Sequence, residues 1–482
     1  YISQLFEYAT FNVPPRSGMF KGLVNATAGA EMFYGTNLTE IPSGIFEGLG
    51  EKSAALDMSR AFFGCKSLTH VPADVFDAIA TKVTTLKDCF RTCENLKTVA
   101  DGFANSCTKV QNIDNLFYGC TSLESIPATM LTGSASVLKS CSSTFWGCTS
   151  LKEVPSDLFS FIKYSGVSYT YCFNSCTSLT KVGANVFPAG TAASGLNNVF
   201  QGCTALTDIS PDVFAQCTKV TTLNSIFKGC TALKTVPGGL FAKMTGAKTF
   251  DSVFIDCTGL ESVPESLFSA NTAVTKFQKV FYNCAALKSV PAGLFAKCSK
   301  VTDFNNLFWG CGALSEIPSG LFDGCPLVTN FTNLFWNCTS LKSIPAGLFA
   351  KCTKAVTFVD TFAGCTGIEA IPEGLFDNVP NTTSVSFKEC FINCTSLKSI
   401  PSGLFDKAKK ARFFNYTFAN CTSLTGESPY SEHSGVKIHL YERKTFDTSI
   451  YNSSIQGTGC FTNCTGLSDY DKIPTGKTNG WK

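Results

Sequence analysis

The sequence is poor in charged residues and in histidine, the residue that most often carries catalysis. Only 16% of its 482 residues are charged, the net charge is +3, and there are three histidines. So weak a charge gives no reason to expect a nucleic acid or an anionic membrane as a partner. His70, His433 and His439 have no recurring acid or nucleophile beside them, so we interpret them as surface or loop residues. No catalytic residues are predicted.

Long apolar runs and the short motifs of common catalytic and metal sites are also absent. No apolar run reaches the roughly 18 residues of a membrane helix, so no membrane-spanning segment is predicted. The sequence contains no C-x-x-C, H-E-x-x-H, G-x-x-x-x-G-K-[ST] or G-x-S-x-G. We therefore expect no metal, no cofactor and no enzymatic activity. The alternative of a glycan-active enzyme would need paired carboxylates in a cleft.

One repeated unit occupies nearly the whole chain. Each copy has an anchor phenylalanine, followed three residues on by cysteine, six on by leucine and nine to ten on by an Ile/Val-Pro pair. Successive anchors are 27 to 29 residues apart, except for a last step of 43. A period of this kind predicts stacked turns, each covering the apolar faces of its neighbours. The seventeen anchors are Phe6, Phe33, Phe62, Phe90, Phe117, Phe145, Phe173, Phe200, Phe227, Phe254, Phe281, Phe308, Phe335, Phe362, Phe391, Phe418 and Phe461.

Two local patterns predict the secondary structure of each copy. Apolar residues around the anchor are three and four apart, as in Phe304, Leu307, Phe308 and Cys311, which predicts a short helix or 3-10 run. The L-x-x-I-P segment, as at 341–345, predicts a strand of three or four residues that its proline ends. A second turn, P-x-G-L-F, then carries another phenylalanine. The period favours a curved α/β solenoid over a parallel β-helix, whose strands would alternate every second residue.

Twenty-five cysteines invite a disulfide interpretation, but fifteen of them stand three residues after an anchor, from Cys65 to Cys464. Turns about 5 Å apart would allow bridges. However, each interior member has two equivalent neighbours, and an odd number cannot fully pair. We therefore expect small, buried thiols. Four C-x-x-x-C pairs could bind metal on a helix, but their first cysteine replaces Leu, Val or Ile of other copies, which favours the core. The pairs are Cys89/Cys93, Cys172/Cys176, Cys390/Cys394 and Cys460/Cys464.

Two columns of residues that point away from the predicted core are candidate ligand-binding positions. The position directly after the anchor is aromatic in several copies, and stacked turns would place these rings side by side as a contact surface for a protein or a sugar. The alternative is that the rings only cover the edge of the core. The second column is the first residue after the strand leucine, where lysine recurs among glutamates, and its alternative role is solubility. The candidates are Tyr118, Trp146, Tyr282, Trp309, Trp336, Lys234, Lys288 and Lys342.

The pattern V-T-x-F-x-x-L-F-x-x-C-x-x-L-x-x-I-P resembles the BspA-type leucine-rich repeats of bacterial surface proteins, from about Phe6 to Pro474. The resemblance implies a right-handed leucine-rich-repeat superhelix, here of about 17 turns, with short parallel strands on one face and short helices or 3-10 turns on the other. Ile-Pro replaces the family's Leu-Asp-Leu-Ser in the strand, so the sheet should be narrower. Family members are typically exported and displayed on the bacterial surface, and some are adhesins.

These observations predict a repeat solenoid over residues 1–424 and a C-terminal capping region with one last copy over 425–482. The first copy is degenerate and the chain begins at Tyr1 rather than Met, so we expect a longer precursor with a signal or lipid anchor upstream. The predicted function is non-enzymatic binding of a protein or glycan, including host-derived ones, at the bacterial cell surface, as a secreted adhesin or lipoprotein. The alternative is a structural spacer that displays another segment.

Overall fold

The computed structural model describes residues 3–476 and 480–482. Residues 477–479 of the predicted capping region lie outside the described residues. The chain divides into two compact units, Tyr1–Leu233 and Lys234–Lys482, called unit 1 and unit 2 below. Each unit is made of repeat copies that pack on one another in sequence order.

Regular secondary structure is short in both units. Unit 1 contains β1 (Leu56–Asp57), β2 (His70–Val71), β3 (Val83–Thr85), β4 (Thr98–Val99), β5 (Glu153–Val154), β6 (Lys181–Val182) and β7 (Asp208–Ile209). Unit 2 contains β8 (Tyr430–His433), β9 (Val436–His439) and a one-turn helix, α1 (Arg443–Phe446). The 3-10 helices are Asp77–Ile79, Thr132–Ser134, Glu265–Phe268, Ala292–Phe295, Leu440–Glu442 and Tyr470–Lys472.

Strands of unit 1 pair in parallel with the equivalent residues of the next copy. β2 pairs with β4, and β5, β6 and β7 form one sheet, all at the predicted L-x-x-I/V position. A second parallel series, not predicted, lies just before the anchor, where β1 pairs with β3. In unit 2 this second series consists of single bridges one repeat apart, such as Asp303 with Asn330. Parallel pairing between successive copies is the hydrogen-bonding pattern of a solenoid-like repeat protein.

The predicted helix around the anchor is wrong, because the segment folds as overlapping turns. Residues two before and two after the anchor have positive φ, as in Asn306 (56°) and Gly310 (72°), which a right-handed helix does not allow. Leu307, Trp309 and Cys311 each donate their N–H to the carbonyl three residues earlier. The three-and-four spacing of apolar residues therefore arises from repeated turns with an inward-facing side chain, and not from a helix.

The intervening backbone groups join one turn to the next. In unit 2 the N–H of Asn306 donates to the carbonyl of Thr332 at 2.9 Å, that of Phe308 to Leu334 at 2.9 Å, and that of Gly310 to Trp336 at 2.7 Å. Along this segment, one N–H donates within its own turn and the following N–H donates to the neighbouring turn. Because a buried donor without a partner is costly, this division lets a segment without helix or long strand lie against the core.

Stacked phenylalanines fill the interior. The ring of Phe308 is fully buried and lies between Phe281 and Phe335, with centroid distances of 5.5 and 5.4 Å and interplanar angles of 5°. The P-x-G-L-F phenylalanines form a second stack, in which Phe295 lies 6.2 Å from Phe322. Such offset ring pairs add to the free energy gained by removing the rings from water.

All 25 cysteines lie among the described residues, and all are buried and unbridged, as expected for core thiols. The column after the anchor also forms hydrogen bonds between turns. The thiol of Cys311 donates to the carbonyl of Phe281 at 3.1 Å, and that of Cys338 to Phe308 at 3.3 Å. In unit 1, Cys120 donates to Phe90 at 3.1 Å. Cysteine is thus both a small apolar filler and a weak donor between turns.

The last part of unit 2 departs from the repeat. β8 and β9 form an antiparallel hairpin, and α1 begins with Arg443, whose side chain is 2% exposed. Its guanidinium donates to Ser431 at 2.7 Å and to the carbonyl of Phe405 at 3.3 Å, so it ties the hairpin to the preceding copy. The ring of Trp481 lies 6.4 Å from that of Phe461, whose N–H donates to the Trp481 carbonyl. Shielding of the last turn by residues 425–482 stays a prediction.

Candidate functional site

The aromatic residues after three successive anchors of unit 2 form a continuous surface, here called the aromatic strip: Tyr282, Trp309 and Trp336. The rings of Tyr282 and Trp309 stack at 4.3 Å and 2°, and Trp336 meets Trp309 edge to face at 5.6 Å and 82°. All three side chains are half-buried. Burial raises the pKa of Tyr282. The sequence correctly placed these rings side by side, because the bond from the Asn283 N–H to the Trp309 carbonyl, at 2.6 Å, fixes the turns in register.

Unit 1 carries a longer column at the same repeat position. Tyr118 and Trp146 lie 5.3 Å apart, as expected from their register. The structure adds Tyr34 and Phe63, stacked at 4.7 Å and 7°, and Arg91, whose guanidinium lies 4.3 Å from the centre of the Tyr118 ring. Sequence reasoning missed these three residues, although each follows an anchor directly and the repeat register alone could have found them.

The lysine column is exposed, and Lys234, Lys288 and Lys342 each lie one turn from a glutamate. Lys288 contacts Glu261 at 2.6 Å, and Lys234 lies 3.9 Å from the same carboxylate on its other side. The hydrogen bond from Lys288 holds the pKa of Glu261 below its usual range. Lys342 is one turn before Glu369, whose pKa is lowered chiefly by Lys398 and to a smaller extent by the charge of Lys342. Exposed pairs of this kind contribute little stability and largely cancel each other's field.

The position two residues after the anchor differs between the units. In unit 2 its side chains form hydrogen-bonded ladders, in which Asn283 donates to Asp256 at 2.9 Å and Asn420 to Asn393 at 2.8 Å. In unit 1 glycine recurs at this position, and a groove of about 380 Å³ lies over Gly35 and Gly64. Glycine and asparagine alternate here because both tolerate the positive φ that the turn requires.

Two carboxyls on neighbouring turns of unit 2, those of Asp360 and Glu389, share a hydrogen bond. Burial and then the negative charge of Glu389 raise the pKa of Asp360 to about 7.

This pair should make stability depend on pH. The folded chain keeps a proton on Asp360 between pH 4 and 7 that the unfolded chain releases, so the free energy of unfolding should fall as pH rises through that window. The variant Asp360→Asn should lack this contribution to the pH dependence of stability. The contribution should amount to about 1–2 °C of thermal midpoint, because a half-exposed carboxyl is screened by water. Melting curves of both proteins from pH 4 to 8 test this. Parallel curves would contradict it.

Ser428, His439 and Asp469 form a polar cluster next to the hairpin. The hydroxyl of Ser428 lies 3.0 Å from His439 Nδ1 and donates to Asp469 Oδ2 at 2.5 Å, and the same carboxylate oxygen lies 3.3 Å from that Nδ1. In a hydrolase triad, the two ring nitrogens separate the serine from the aspartate. Here one nitrogen faces both, and Ser428 is 0% exposed. This arrangement fixes the hairpin against the last copy.

Two features are absent from residues 3–476 and 480–482. No helix in this part of the chain is long and apolar enough to cross a lipid bilayer. The same residues include no group of three or more His, Cys, Asp or Glu side chains placed to hold a metal ion.

Parallel bridges between copies, short strands and overlapping turns define a solenoid-like repeat protein with a leucine-rich-repeat fold. A family model described as BspA type leucine rich repeat region matches residues 27–141, 58–182, 84–234, 259–388 and 315–468. The matches cover well over half of the sequence, so the chain belongs to the BspA-type leucine-rich repeat family. A second model, described as a Mycoplasma protein of unknown function, matches residues 194–319.

Solved structures of bacterial leucine-rich repeat proteins are similar at low identity. A leucine-rich repeat protein from Bacteroides ovatus is 21% identical, with a TM-score of 0.44 over 77% of this chain and 76% of its own. A leucine rich cell surface protein from Faecalibacterium prausnitzii is 18% identical, with a TM-score of 0.29 over 64% of this chain and 84% of its own. None of the curated proteins compared matches the chain.

Proposed function

We propose that this chain is a non-enzymatic protein of the bacterial cell surface that binds a protein partner and acts as an adhesin. Membership of the BspA-type family supports the surface location. The predicted right-handed winding and the count of about 17 turns are part of this proposal. The observation that carries the binding role is the aromatic strip, Tyr282, Trp309 and Trp336, because three large half-buried rings on adjacent turns form a rigid apolar contact surface.

The packing of the rings favours a protein over a glycan at this strip. Sugars stack on open aromatic faces, but Tyr282 and Trp309 cover each other's faces at 4.3 Å and 2°. Tyr282 and Trp309 therefore present ring edges, a ridge that fits between the side chains of a protein surface. Tryptophan and tyrosine are also the residues on which binding energy at protein interfaces concentrates. In unit 1, Tyr118 and Trp146 form a similar but tilted pair, which we assign to the same role.

The lysine column contributes differently in this proposal. Because Lys234 and Lys288 share the carboxylate of Glu261, their charges are largely compensated before any partner arrives. Lys234, Lys288 and Lys342 would form a hydrated rim that affects the association rate more than the affinity. A host partner need not be acidic for this arrangement to work.

The double variant Trp309→Ala/Trp336→Ala tests the strip. Loss of two contact tryptophans should weaken binding by about 1,000-fold, since each such residue contributes roughly 2 kcal/mol and each step of about 1.4 kcal/mol is tenfold. Wild type is first screened against an array of human secreted proteins and cell-surface ectodomains, and each captured protein is then titrated against both forms. The matched control, Lys288→Ala/Lys342→Ala, removes two exposed side chains and should change the affinity by only about threefold or less.

Equal binding by wild type and the tryptophan variant would contradict the strip as the contact surface. No capture by wild type would favour the alternative of a structural spacer. The variants should keep the thermal midpoint of the wild type, because the rings are half-buried and not part of the phenylalanine stack. Unchanged midpoints would show that the fold is intact.

A further inference from the structure

The groove of unit 1 lies beside the aromatic column, and two glycines lie at its floor. Gly35 and Gly64, both at the position two residues after the anchor, have φ angles of 67° and 68°. A Cβ at Gly64 would fit without a clash, since the nearest atoms, those of Gly35 and Thr92, are 3.7 Å or more away. At the same position of unit 2, the side chain of Asn283 reaches back to Asp256 and covers the backbone. The floor of the groove is therefore backbone at Gly64, and the Tyr8 ring lies over Gly35.

Aromatic rings form the apolar part of the groove. Tyr34 stacks on Phe63, and Tyr8 meets Tyr34 edge to face at 5.3 Å while remaining 67% exposed. The hydrogen bond between the two phenols raises the pKa of Tyr8. Unlike the rings of the aromatic strip, Tyr8 is therefore held in place with much of its surface open to a ligand.

The polar part of the groove is neutral. Ser67 and Thr92 supply two hydroxyl groups. Asn37 also lines the groove, but its amide is already bonded to the N–H and the carbonyl of Phe11, at 2.7 and 3.2 Å. Lys66 also lines the groove, but its ammonium pairs with Glu94 at 2.7 Å. The guanidinium of Arg91, next to Thr92, pairs with Asp88 at 3.1 Å. A charged ligand would have to compete with these pairs, so the groove favours an uncharged one.

We propose that this groove binds a neutral sugar ring of a glycan. A pyranose has an apolar face of C–H groups and a rim of hydroxyls, which match the open Tyr8 ring and the hydroxyls of Ser67 and Thr92. The volume of about 380 Å³ is in the range of small-molecule sites. An apolar side chain of a protein would leave these two hydroxyls without the water that they bind, at a cost in free energy. The site shares no residue with the aromatic strip and does not depend on the proposed adhesin role.

Gly64→Asn tests the proposal without straining the backbone. Asparagine occupies the same repeat position at φ 57° in Asn283 and 58° in Asn337, so the substitution keeps the turn and fills the groove. The matched control is Gly310→Asn, the same change in unit 2, between Asn283 and Asn337. Equal thermal midpoints of the two variants would show that any difference in binding comes from the groove and not from folding.

The probes are oligosaccharides ending in glucose, galactose, mannose or N-acetylglucosamine, and heparin as an anionic probe. Wild type should bind at least one neutral oligosaccharide in calorimetric titration. Gly64→Asn should weaken that binding at least tenfold, whereas Gly310→Asn and Trp309→Ala/Trp336→Ala should leave it unchanged. The proposal is overturned if no neutral oligosaccharide binds, if only heparin or a protein binds, if Gly64→Asn binds like wild type, or if Gly310→Asn weakens binding equally.

Discussion

Replacing Phe308 by alanine should lower the free energy of unfolding by about 3–5 kcal/mol, the largest effect that we expect from any single substitution. The ring is fully buried between Phe281 and Phe335. Neither neighbouring ring can move into the space that it leaves, because each is held by its own turn. The cavity would remain open on both sides. We expect a lower midpoint in urea and faster amide exchange in the turns on either side.

Leu327→Ala is the control for this substitution. Leu327 belongs to the same unit but is 47% exposed, so its truncation should change stability by about 0.5 kcal/mol or less. A Phe308→Ala protein as stable as Leu327→Ala would mean that the ring stack does not hold the turns together. Because repeat arrays can unfold in parts, exchange measured turn by turn is a better probe than a single transition.

The sequence predicts which residues stack on adjacent turns better than it predicts the conformation of the backbone. A period of 27 to 29 residues places equivalent residues on adjacent turns, so the buried phenylalanines, the thiol column and the contact between Trp309 and Trp336 could all be predicted. The turns at the anchor could not, since the same three-and-four spacing of apolar residues is typical of a helix. The signal for the turn was the Gly or Asn two residues after the anchor, as at Gly310 and Asn337, where φ is positive.

At the candidate site, too, the contacts could be predicted but the detailed geometry could not. Register predicted which aromatic residues meet, but the angle between rings depends on the packing of each pair, which the period does not encode. Tyr282 and Trp309 are parallel, whereas Trp309 and Trp336 are nearly perpendicular. That difference decides whether a ring offers its face or its edge to a ligand. The groove of unit 1 was also beyond the sequence argument, because it depends on how the Tyr8 ring packs against Tyr34 and over Gly35.

The second large expected effect is the protection of the thiol column from chemical reagents. Every turn that carries one of these thiols must be closed for its thiol to be protected. Each thiol is buried, and burial raises its pKa, for example to about 12 in Cys203 and Cys365. A protonated, inaccessible thiol is a poor nucleophile and does not react with alkylating reagents. Bridges are also disfavoured, because Cys338 already donates its hydrogen to the Phe308 carbonyl of the preceding turn.

Intact mass after treatment with N-ethylmaleimide, without any reductant, is the most direct test of a core built from stacked turns with free thiols. The folded protein should take up no label, and the same protein in guanidinium chloride should take up 25, one for each cysteine. Labelling of several cysteines in the folded state, or an unfolded protein with fewer labels because some cysteines are bridged, would contradict the account.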